Sequence, residues 1–250
     1  MKDKVKRLRV FAGPNGSGKS TLYGYLTQVK AFNAYYHINP DIIAKDVFIS
    51  LNLDNWPIEF NFKELCDYLK YSPFQTIVNY DISGLLLLEG QRISLKETTF
   101  KDTYMAAAIA DFIRYKMIQS DFSFSYETVF SHASKLKELE IAKKAGYKIY
   151  LYFITASDTL INLQRIKNRV ETGGHDVPEE KVFNRFNRTL DNLYPAFKLA
   201  DKAYFFDNSS EKTNGTFTFF AEKNEDNIYL ADSDDMPYWF DEYVLRKING

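Results

Sequence analysis

The sequence has few of the residues that build disulfides and zinc sites. Of its 250 residues, one is cysteine, Cys66, and three are histidine. A single cysteine cannot form an internal disulfide, and three scattered histidines do not make a zinc cluster. The composition therefore predicts a protein of a reducing compartment without a structural transition metal.

The sequence also lacks an excess of charge and a long apolar run. Its 32 Lys and Arg residues are balanced by 33 Asp and Glu residues, so no field of the whole protein attracts nucleic acid or an anionic membrane. The apolar stretch at 84–88 is too short to cross a bilayer, and the N-terminal stretch carries no secretory apolar region. We therefore expect a cytoplasmic protein that binds no nucleic acid and no membrane, and whose affinity for phosphate is local.

Strand and helix patterns alternate along the chain. Strand-forming runs, separated by helical patterns, occur at 8–13, 34–38, 122–127, 147–155 and 202–209. Such alternation predicts an α/β fold with a parallel sheet and helices on both faces. We expect one domain over 1–250, with an insertion at 52–101 and a C-terminal extension at 210–250 that begins with a β-hairpin.

The residues after the first strand match the phosphate-binding P-loop pattern G-x-x-x-x-G-K-[ST]. The stretch GPNGSGKS follows a predicted strand and precedes a predicted helix, as this loop requires. Its glycines let consecutive backbone N–H groups approach phosphate oxygens at a helix N-terminus. Lys19 would neutralise the β- and γ-phosphates, and the Ser20 hydroxyl would bind Mg²⁺. The pattern therefore predicts ATP and Mg²⁺ as cofactors, with nucleotide contacts from Gly13, Pro14, Asn15, Gly16, Ser17, Gly18, Lys19, Ser20 and Thr21.

Two acidic residues that follow predicted strands are candidates for the acceptor side of a phosphoryl transfer. Asp41 comes just after the second strand and Glu127 at the end of the third. The carboxyl ends of parallel strands meet at the edge of the sheet where the P-loop lies, and a kinase needs a carboxylate there to orient the acceptor hydroxyl. Each residue also has a purely structural interpretation: Asp41 as a helix N-cap, and Glu127 as a solvated strand end.

An arginine-rich segment after the fourth strand predicts a phosphate clamp. Arg165 and Arg169 are four residues apart, on one face of a helix that ends at Gly173 and Gly174, and both are candidates to contact the nucleotide. The glycine pair would let the next helix, which carries Arg185, fold back as a lid over the transferring phosphate. The alternative is a solvated face, in which the arginines pair with Glu171, Glu179 and Glu180.

Several stretches together resemble the zeta-toxin family of P-loop kinases, in particular its chromosomal members. They are AGPNGSGKST, INPD, FSYET, GYKIYLYFI and RVETGGHDVPEEKVFNRFNRTL, and the resemblance covers residues 6–50 and 102–209. It implies a mononucleotide-kinase-like α/β P-loop NTPase fold. It also implies transfer of the γ-phosphate of ATP to a hydroxyl of a nucleotide sugar such as UDP-N-acetylglucosamine, and restraint by a small antitoxin protein that blocks the ATP site.

The resemblance assigns roles to individual residues of the P-loop and of the two acidic motifs. It makes Lys19 and Ser20 the contacts of ATP and magnesium. It makes Asp41 the carboxylate that receives or orients the acceptor proton. Glu127 and Thr128 would bind sugar hydroxyls of the acceptor.

The sequence departs from the pattern of this family at the phosphate clamp. Arg169 matches the first arginine of the clamp, but His175 stands where the family has its second cation. Either His175 does a weaker version of that task, or Arg185 or Arg188 on the next helix reaches in. We expect Arg185 to be the second cation.

The leading prediction is an ATP- and Mg²⁺-dependent small-molecule kinase. One alternative is a nucleoside or polynucleotide kinase, although the near-neutral charge disfavours the polynucleotide form. Another is an ATP-hydrolysing module of a transporter or regulator, but the stretch at 83–92 only superficially resembles the signatures of such modules. A third is an inactive nucleotide-binding partner, which the intact Lys19, Ser20 and Asp41 disfavour.

Overall fold

The computed structural model of the chain describes residues 5–33, 36–47, 50–97, 102–173, 176–209, 217–231 and 236–249. In chain order its strands are β1 (Arg7–Ala12), β2 (His37–Ile38), β3 (Leu51–Asn52), β4 (Leu86–Glu89), β5 (Arg92–Leu95), β6 (Phe124–Thr128), β7 (Lys148–Thr155), β8 (Lys202–Asp207), β9 (Thr218–Asn224) and β10 (Asn227–Leu230). Its helices are α1 (Lys19–Gln28), α2 (Pro40–Val47), α3 (Phe62–Lys70), α4 (Thr103–Ile118), α5 (Ser134–Lys144), α6 (Thr159–Glu171), α7 (Glu179–Asp191), α8 (Leu193–Leu199), α9 (Tyr238–Phe240) and α10 (Arg246–Asn249). Short 3-10 helices lie at Pro73–Thr76 and Ser83–Leu85. A short π-helix at Asp241–Leu245 joins the last two α-helices.

The chain divides into two units. The first comprises Met1–Ala34 and Ser125–Gly250, and the second comprises Tyr35–Phe124. The segment 52–101 lies within the second unit. Its interpretation as an insertion in a single domain, and that of 210–250 as an extension, stay predictions.

The first unit is built on a mostly parallel sheet. Its strands follow the order β10-β9-β8-β7-β1-β6. Strand β7 runs parallel to both of its neighbours, with Arg7 opposite Lys148 on one side and Lys202 opposite Tyr150 on the other. The predicted hairpin is present as β9 and β10, and it extends the sheet because β9 pairs antiparallel with β8. The predicted α/β fold with a C-terminal hairpin is confirmed.

Helices cover both faces of this sheet, as the sequence predicts. Successive strand residues point to opposite faces, so Phe11, Tyr152 and Tyr204, which lie side by side, share one face. Phe11 and Tyr152 pack there with Leu22 of α1. On the other face Phe205 contacts the rings of Phe197 in α8 and Phe240 in α9. Burial of these aromatic side chains stabilises the unit.

The second unit packs α2, α3 and α4 with a small antiparallel sheet of order β3-β5-β4. Asp102 is the N-cap of helix α4, and its carboxylate accepts a 2.7 Å hydrogen bond from the Tyr104 amide. The apolar face of α4 is fully buried, at Met105, Ile109, Phe112 and Ile113. Within the described ranges, no helix of the chain is both long and apolar enough to cross a membrane.

The C-terminal helical segment, from Tyr238 to Asn249, is not apparent from the sequence pattern. Its Trp239 and Phe240 are buried, and Trp239 packs on Phe153 of the central strand and on Phe220 of the hairpin. This segment therefore belongs to the core of the first unit.

Candidate functional site

The P-loop connects β1 to α1, and its glycines are needed for close contacts. Gly18 precedes the first residue of α1 in a left-handed conformation, with φ 98°. Gly16 has φ 75°, and a Cβ on it would stand 2.4 Å from the backbone oxygen of Asn162 in α6. A side chain at Gly16 is therefore excluded both by its backbone conformation and by the helix behind the loop.

The interior of the loop fits a phosphate group. The Lys19 ammonium donates to the carbonyl oxygens of Gly13, at 2.9 Å, and Pro14, at 2.8 Å, which keeps the positive charge at the loop. The Ser17 hydroxyl is buried and has no hydrogen-bond partner among the described residues. A glycine-rich loop at the N-terminus of a helix, with a cation inside it, is the arrangement that binds phosphate through backbone N–H groups. Ser20 and Thr21, in the first turn of α1, are exposed.

Ser20 and Glu127 form a direct contact between the P-loop and the end of β6, the strand next to β1. The Ser20 Oγ donates a 2.6 Å hydrogen bond to Glu127 Oε2. Glu127 is only 6% exposed, so its carboxylate is held in place by the surrounding sheet. The resemblance assigns Glu127 to the acceptor, whereas the structure joins it to the predicted magnesium ligand.

The Ser20 and Glu127 oxygens fit a magnesium ion. Mg²⁺ is commonly held by one or two carboxylates together with a P-loop hydroxyl, substrate phosphates and water. Across the ranges that the structure describes, no group of three or more His, Cys, Asp and Glu residues could hold a metal alone. A magnesium ion at this position would therefore need the phosphates of the nucleotide as further ligands.

The turn after β6 is held by backbone and side-chain contacts. The Gly13 amide donates to the Thr128 carbonyl at 3.3 Å, so the ends of β1 and β6 meet. The Thr128 hydroxyl accepts a 3.1 Å hydrogen bond from the amide of Phe130, a buried residue in the left-handed conformation with φ 62°. Thr189 of α7 donates to the carbonyl of Val129. The hydroxyl that the resemblance assigns to the acceptor thus stabilises the turn that follows Glu127.

The electrostatic surroundings of Glu127 include a tyrosine of α1. Burial raises the pKa of the Tyr23 phenol, and the negative charge of Glu127 raises it further. Tyr23 is therefore neutral near pH 7.

The arginines of the predicted clamp occupy different positions relative to the P-loop. Arg185 of α7 is half-buried, and its Nη1 is 3.5 Å from Asn15 Oδ1, at the outer limit of a hydrogen bond. Arg165 of α6 donates to Asn208 at 3.3 Å. Arg169 is exposed in the last turn of α6, and Arg188 is exposed on α7. His175 and Gly174 lie outside the described residues.

Asp41 lies in the second unit, in the first turn of α2, and its side chain is exposed. Its amide donates a 2.9 Å hydrogen bond to the side chain of Asn39. Asn39 therefore caps this helix, and the Asp41 carboxylate is not used as the cap.

Asn208, directly after β8, is a site residue whose contact the sequence does not reveal. It is 7% exposed, and its Nδ2 donates a 2.9 Å hydrogen bond to the carbonyl of Ser17 in the P-loop. The sequence signal that could have found it is its position at the carboxyl end of a parallel strand, where ligand-binding loops gather.

Comparisons with known proteins agree with this fold. No family model matches the chain. An uncharacterized protein of Haemophilus influenzae is 35% identical over 69 residues, which is 28% of this chain and 49% of the relative, so the chain spans about half the length of that relative.

Solved structures match over much more of the chain. A chain of the AvrRxo1-ORF1:AvrRxo1-ORF2 complex with sulphate ions matches with a TM-score of 0.55 and 13% identity over 92% of this chain and 62% of its own length, and that complex is also known with ATP. A chain of the PezAT chromosomal toxin–antitoxin system of Streptococcus pneumoniae matches with a TM-score of 0.50 and 11% identity over 98% of this chain and 80% of its own length. At these identities the likeness concerns the fold alone, and it agrees with the α/β fold that the sequence predicts.

Proposed function

We propose that the protein is an ATP-dependent phosphotransferase of zeta-toxin type, which transfers the γ-phosphate of ATP to a hydroxyl group of a small molecule. The observation that carries this proposal is the contact between Ser20 and Glu127 beside the P-loop. It puts a hydroxyl and a buried carboxylate together at a phosphate-binding loop, which is the donor set that a nucleotide-bound magnesium ion requires.

Each residue of the loop has a defined task in this proposal. Lys19 leaves the Gly13 and Pro14 carbonyls and neutralises the β- and γ-phosphates, while the loop amides bind their oxygens. Ser20 and Glu127 would hold the magnesium ion, which would supply positive charge to offset that of the phosphates. Arg185 and Arg169 stabilise the charge that develops on the transferred group, with Arg165 as a further nucleotide contact.

The acceptor side of the proposal rests on Asp41. A carboxylate that orients the acceptor hydroxyl has to be accessible, and the exposed Asp41 meets that condition because Asn39 performs the capping instead. The resemblance to zeta toxins supports a nucleotide sugar of the UDP-N-acetylglucosamine type as acceptor. The resemblance assigns both Glu127 and Thr128 to the acceptor. Since Glu127 is the proposed magnesium ligand, Thr128 is the one of the two that remains for the acceptor.

An antitoxin partner is part of the proposal. The PezAT match comes from a toxin–antitoxin system, and the AvrRxo1 match comes from a complex of two proteins. We propose that a small protein restrains this chain by covering its ATP site, within a cytoplasmic setting.

The test of the proposed reaction uses purified protein, radiolabelled ATP, Mg²⁺ and a metabolite extract. Wild-type protein should transfer label to a small molecule, and Asp41→Ala should lose transfer while keeping ATP binding. Asp46→Ala, which removes another exposed carboxylate of α2, is the matched control and should retain transfer. Label that appears only as free phosphate, equally with wild type and Asp41→Ala, would mean an ATP-hydrolysing module instead of a kinase.

A separate test concerns toxicity. Induced expression of wild-type protein should arrest growth, and Lys19→Ala should not, because it lacks the cation that meets the phosphates. Unchanged growth with both proteins would refute the toxin role and leave the kinase proposal to the labelling experiment.

A further inference from the structure

The turn that follows β8 contacts the P-loop through the side chain of Asn208. We propose that Asn208 is a positioning residue that fixes the orientation of one P-loop peptide group and links it to Arg165; this rests on the proposed function. The Asn208 Nδ2 donates to the Ser17 carbonyl at 2.9 Å, and its Oδ1 accepts from Arg165 Nη2 at 3.3 Å. One buried amide therefore joins the loop to the helix that carries Arg165 and Arg169.

The contact controls the direction of a backbone donor. In a trans peptide the C=O and the following N–H point in opposite directions, and the described residues contain no cis peptide bond. A Ser17 carbonyl held by Asn208 therefore aims the Gly18 N–H away from Asn208. That N–H is one of the donors that a P-loop offers to phosphate.

Without this hydrogen bond, little fixes the orientation of the peptide group between Ser17 and Gly18. Gly18 lacks a Cβ, so rotation of the peptide between Ser17 and Gly18 meets little steric resistance. There is also no room for a side chain, because a Cβ on Gly18 would stand 2.7 Å from Asn208 Nδ2. The amide group of Asn208 therefore packs directly on the loop that it orients.

Asn208 is itself held from several sides. Its backbone N–H donates to the Thr155 carbonyl of β7 at 2.8 Å. The neighbouring Asp207 accepts from the Trp239 indole at 3.2 Å and from the Ser209 amide at 2.9 Å. Ser209 in turn accepts from the Ser157 amide at 2.7 Å. The C-terminal segment thus contributes to the nucleotide site through Trp239.

An amide is the side chain that suits this position. It donates to a carbonyl and accepts from a guanidinium, whereas a carboxylate of the same shape keeps only the second contact and faces the Ser17 oxygen with a negative charge. Asn208→Asp therefore separates the effect on the loop from the effect on Arg165.

The experiment compares the affinity of wild type, Asn208→Asp and Asn192→Asp for a fluorescent ATP analogue with Mg²⁺, together with their thermal stability. Asn192 is the matched control because its amide also donates to a carbonyl at 2.9 Å, that of Phe130. We expect Asn208→Asp to weaken ATP binding by about 10- to 100-fold, the range for loss of a buried hydrogen bond. Asn192→Asp should lower thermal stability to a similar extent and leave ATP affinity within about twofold of wild type.

Trp239→Phe keeps the aromatic ring and removes only the indole N–H. It should weaken ATP binding less than Asn208→Asp, in the same direction, and should have no additional effect when combined with Asn208→Asp. Equal ATP affinity in wild type and Asn208→Asp would overturn the inference, as would an equal loss with Asn192→Asp. Wild-type protein that binds no ATP would overturn the proposed function itself, and this inference with it.

Discussion

Ser20 Oγ and Glu127 Oε2 lie 2.6 Å apart, although 107 residues separate them in the chain. The hydroxyl is exposed at the start of α1, and the carboxylate is buried at the end of β6. A buried carboxylate with a fixed position costs little reorganisation when a cation binds to it. This pair is therefore the position at which a metal ion would act in the proposed kinase.

Replacement of Glu127 should affect the requirement for magnesium. Glu127→Gln keeps the shape of the side chain and removes its charge, so we expect kcat to fall about 10²-fold or more and the Mg²⁺ concentration for half-maximal activity to rise. Titration of initial rates with Mg²⁺ at saturating ATP measures both effects. Glu140→Gln on the exposed side of α5 is the control and should behave as wild type. An unchanged Mg²⁺ profile in Glu127→Gln would exclude the carboxylate from the metal site.

Two arginines of α7 should differ in their importance for the rate. Arg185 lies 3.5 Å from Asn15 of the P-loop, whereas Arg188 is exposed. Loss of a cation that meets the transferring phosphate can lower kcat by about 10³-fold or more. We therefore expect that drop for Arg185→Ala and only a small change for Arg188→Ala.

Steady-state kinetics at saturating ATP distinguish these arginines, since a lost transition-state contact lowers kcat and leaves KM nearly unchanged. Arg169→Ala, measured in parallel, tests the first cation of the clamp. If Arg188→Ala were the slower variant, the second cation would have to be reassigned.

Two glycines provide a matched pair for the P-loop. Gly16→Ala would force a methyl group to within 2.4 Å of the Asn162 oxygen at φ 75°, so we expect loss of ATP binding and lower stability. Gly24→Ala introduces the same methyl group in α1, where nothing lies within 4 Å. It should stabilise the protein by about 0.5 to 1 kcal/mol through helix propensity. Thermal unfolding and ATP titration measure both variants, and tight ATP binding by Gly16→Ala would contradict the loop geometry.

Asp201 should make the stability of the first unit sensitive to acid. Burial tends to raise its pKa, but hydrogen bonds from the Ile149 amide and the Lys148 ammonium lower the pKa below its usual value. The carboxylate therefore contributes stability above the unfolded-state pKa of about 3.9, and this contribution is lost as the pH falls through the lower folded-state pKa.

The measurement for Asp201 is urea unfolding of wild type and Asp201→Asn at neutral pH and near pH 3. At neutral pH the free energy of unfolding should be larger for wild type than for Asp201→Asn. This difference between the two proteins should be smaller near pH 3. Asp226→Asn, in the exposed hairpin turn, should not change this pH dependence. A difference that is the same at both pH values would refute the assigned role of the charge.

Features formed by neighbouring residues could be predicted from the sequence. The P-loop and the hairpin each arise within a few residues, where glycine freedom and turn chemistry decide the local conformation. The cap of α5 shows the limit of such reasoning. Serine is a favoured N-cap residue, but Ser131 does not cap this helix, which begins at Ser134, whose amide donates to His132 Nδ1.

Contacts between distant residues needed the tertiary structure. The hydrogen bond from Asn208 to Ser17 spans 191 residues, and that from Arg185 toward Asn15 spans 170. Neither residue type nor spacing encodes such a pair, because the sheet order and the packing of α6 and α7 bring the partners together. The Trp239 contact with Asp207 depends in the same way on how the C-terminal segment packs on the sheet.

The sequence by itself determined the nucleotide-binding loop, the α/β class and the set of charged residues around them, since local patterns and periodicity carry that information. The tertiary structure decided which of those residues meet. It places Glu127 beside Ser20, Arg185 beside Asn15 of the P-loop, and Asn208 against the Ser17 carbonyl, because side-chain partners across a sheet follow from strand order and burial.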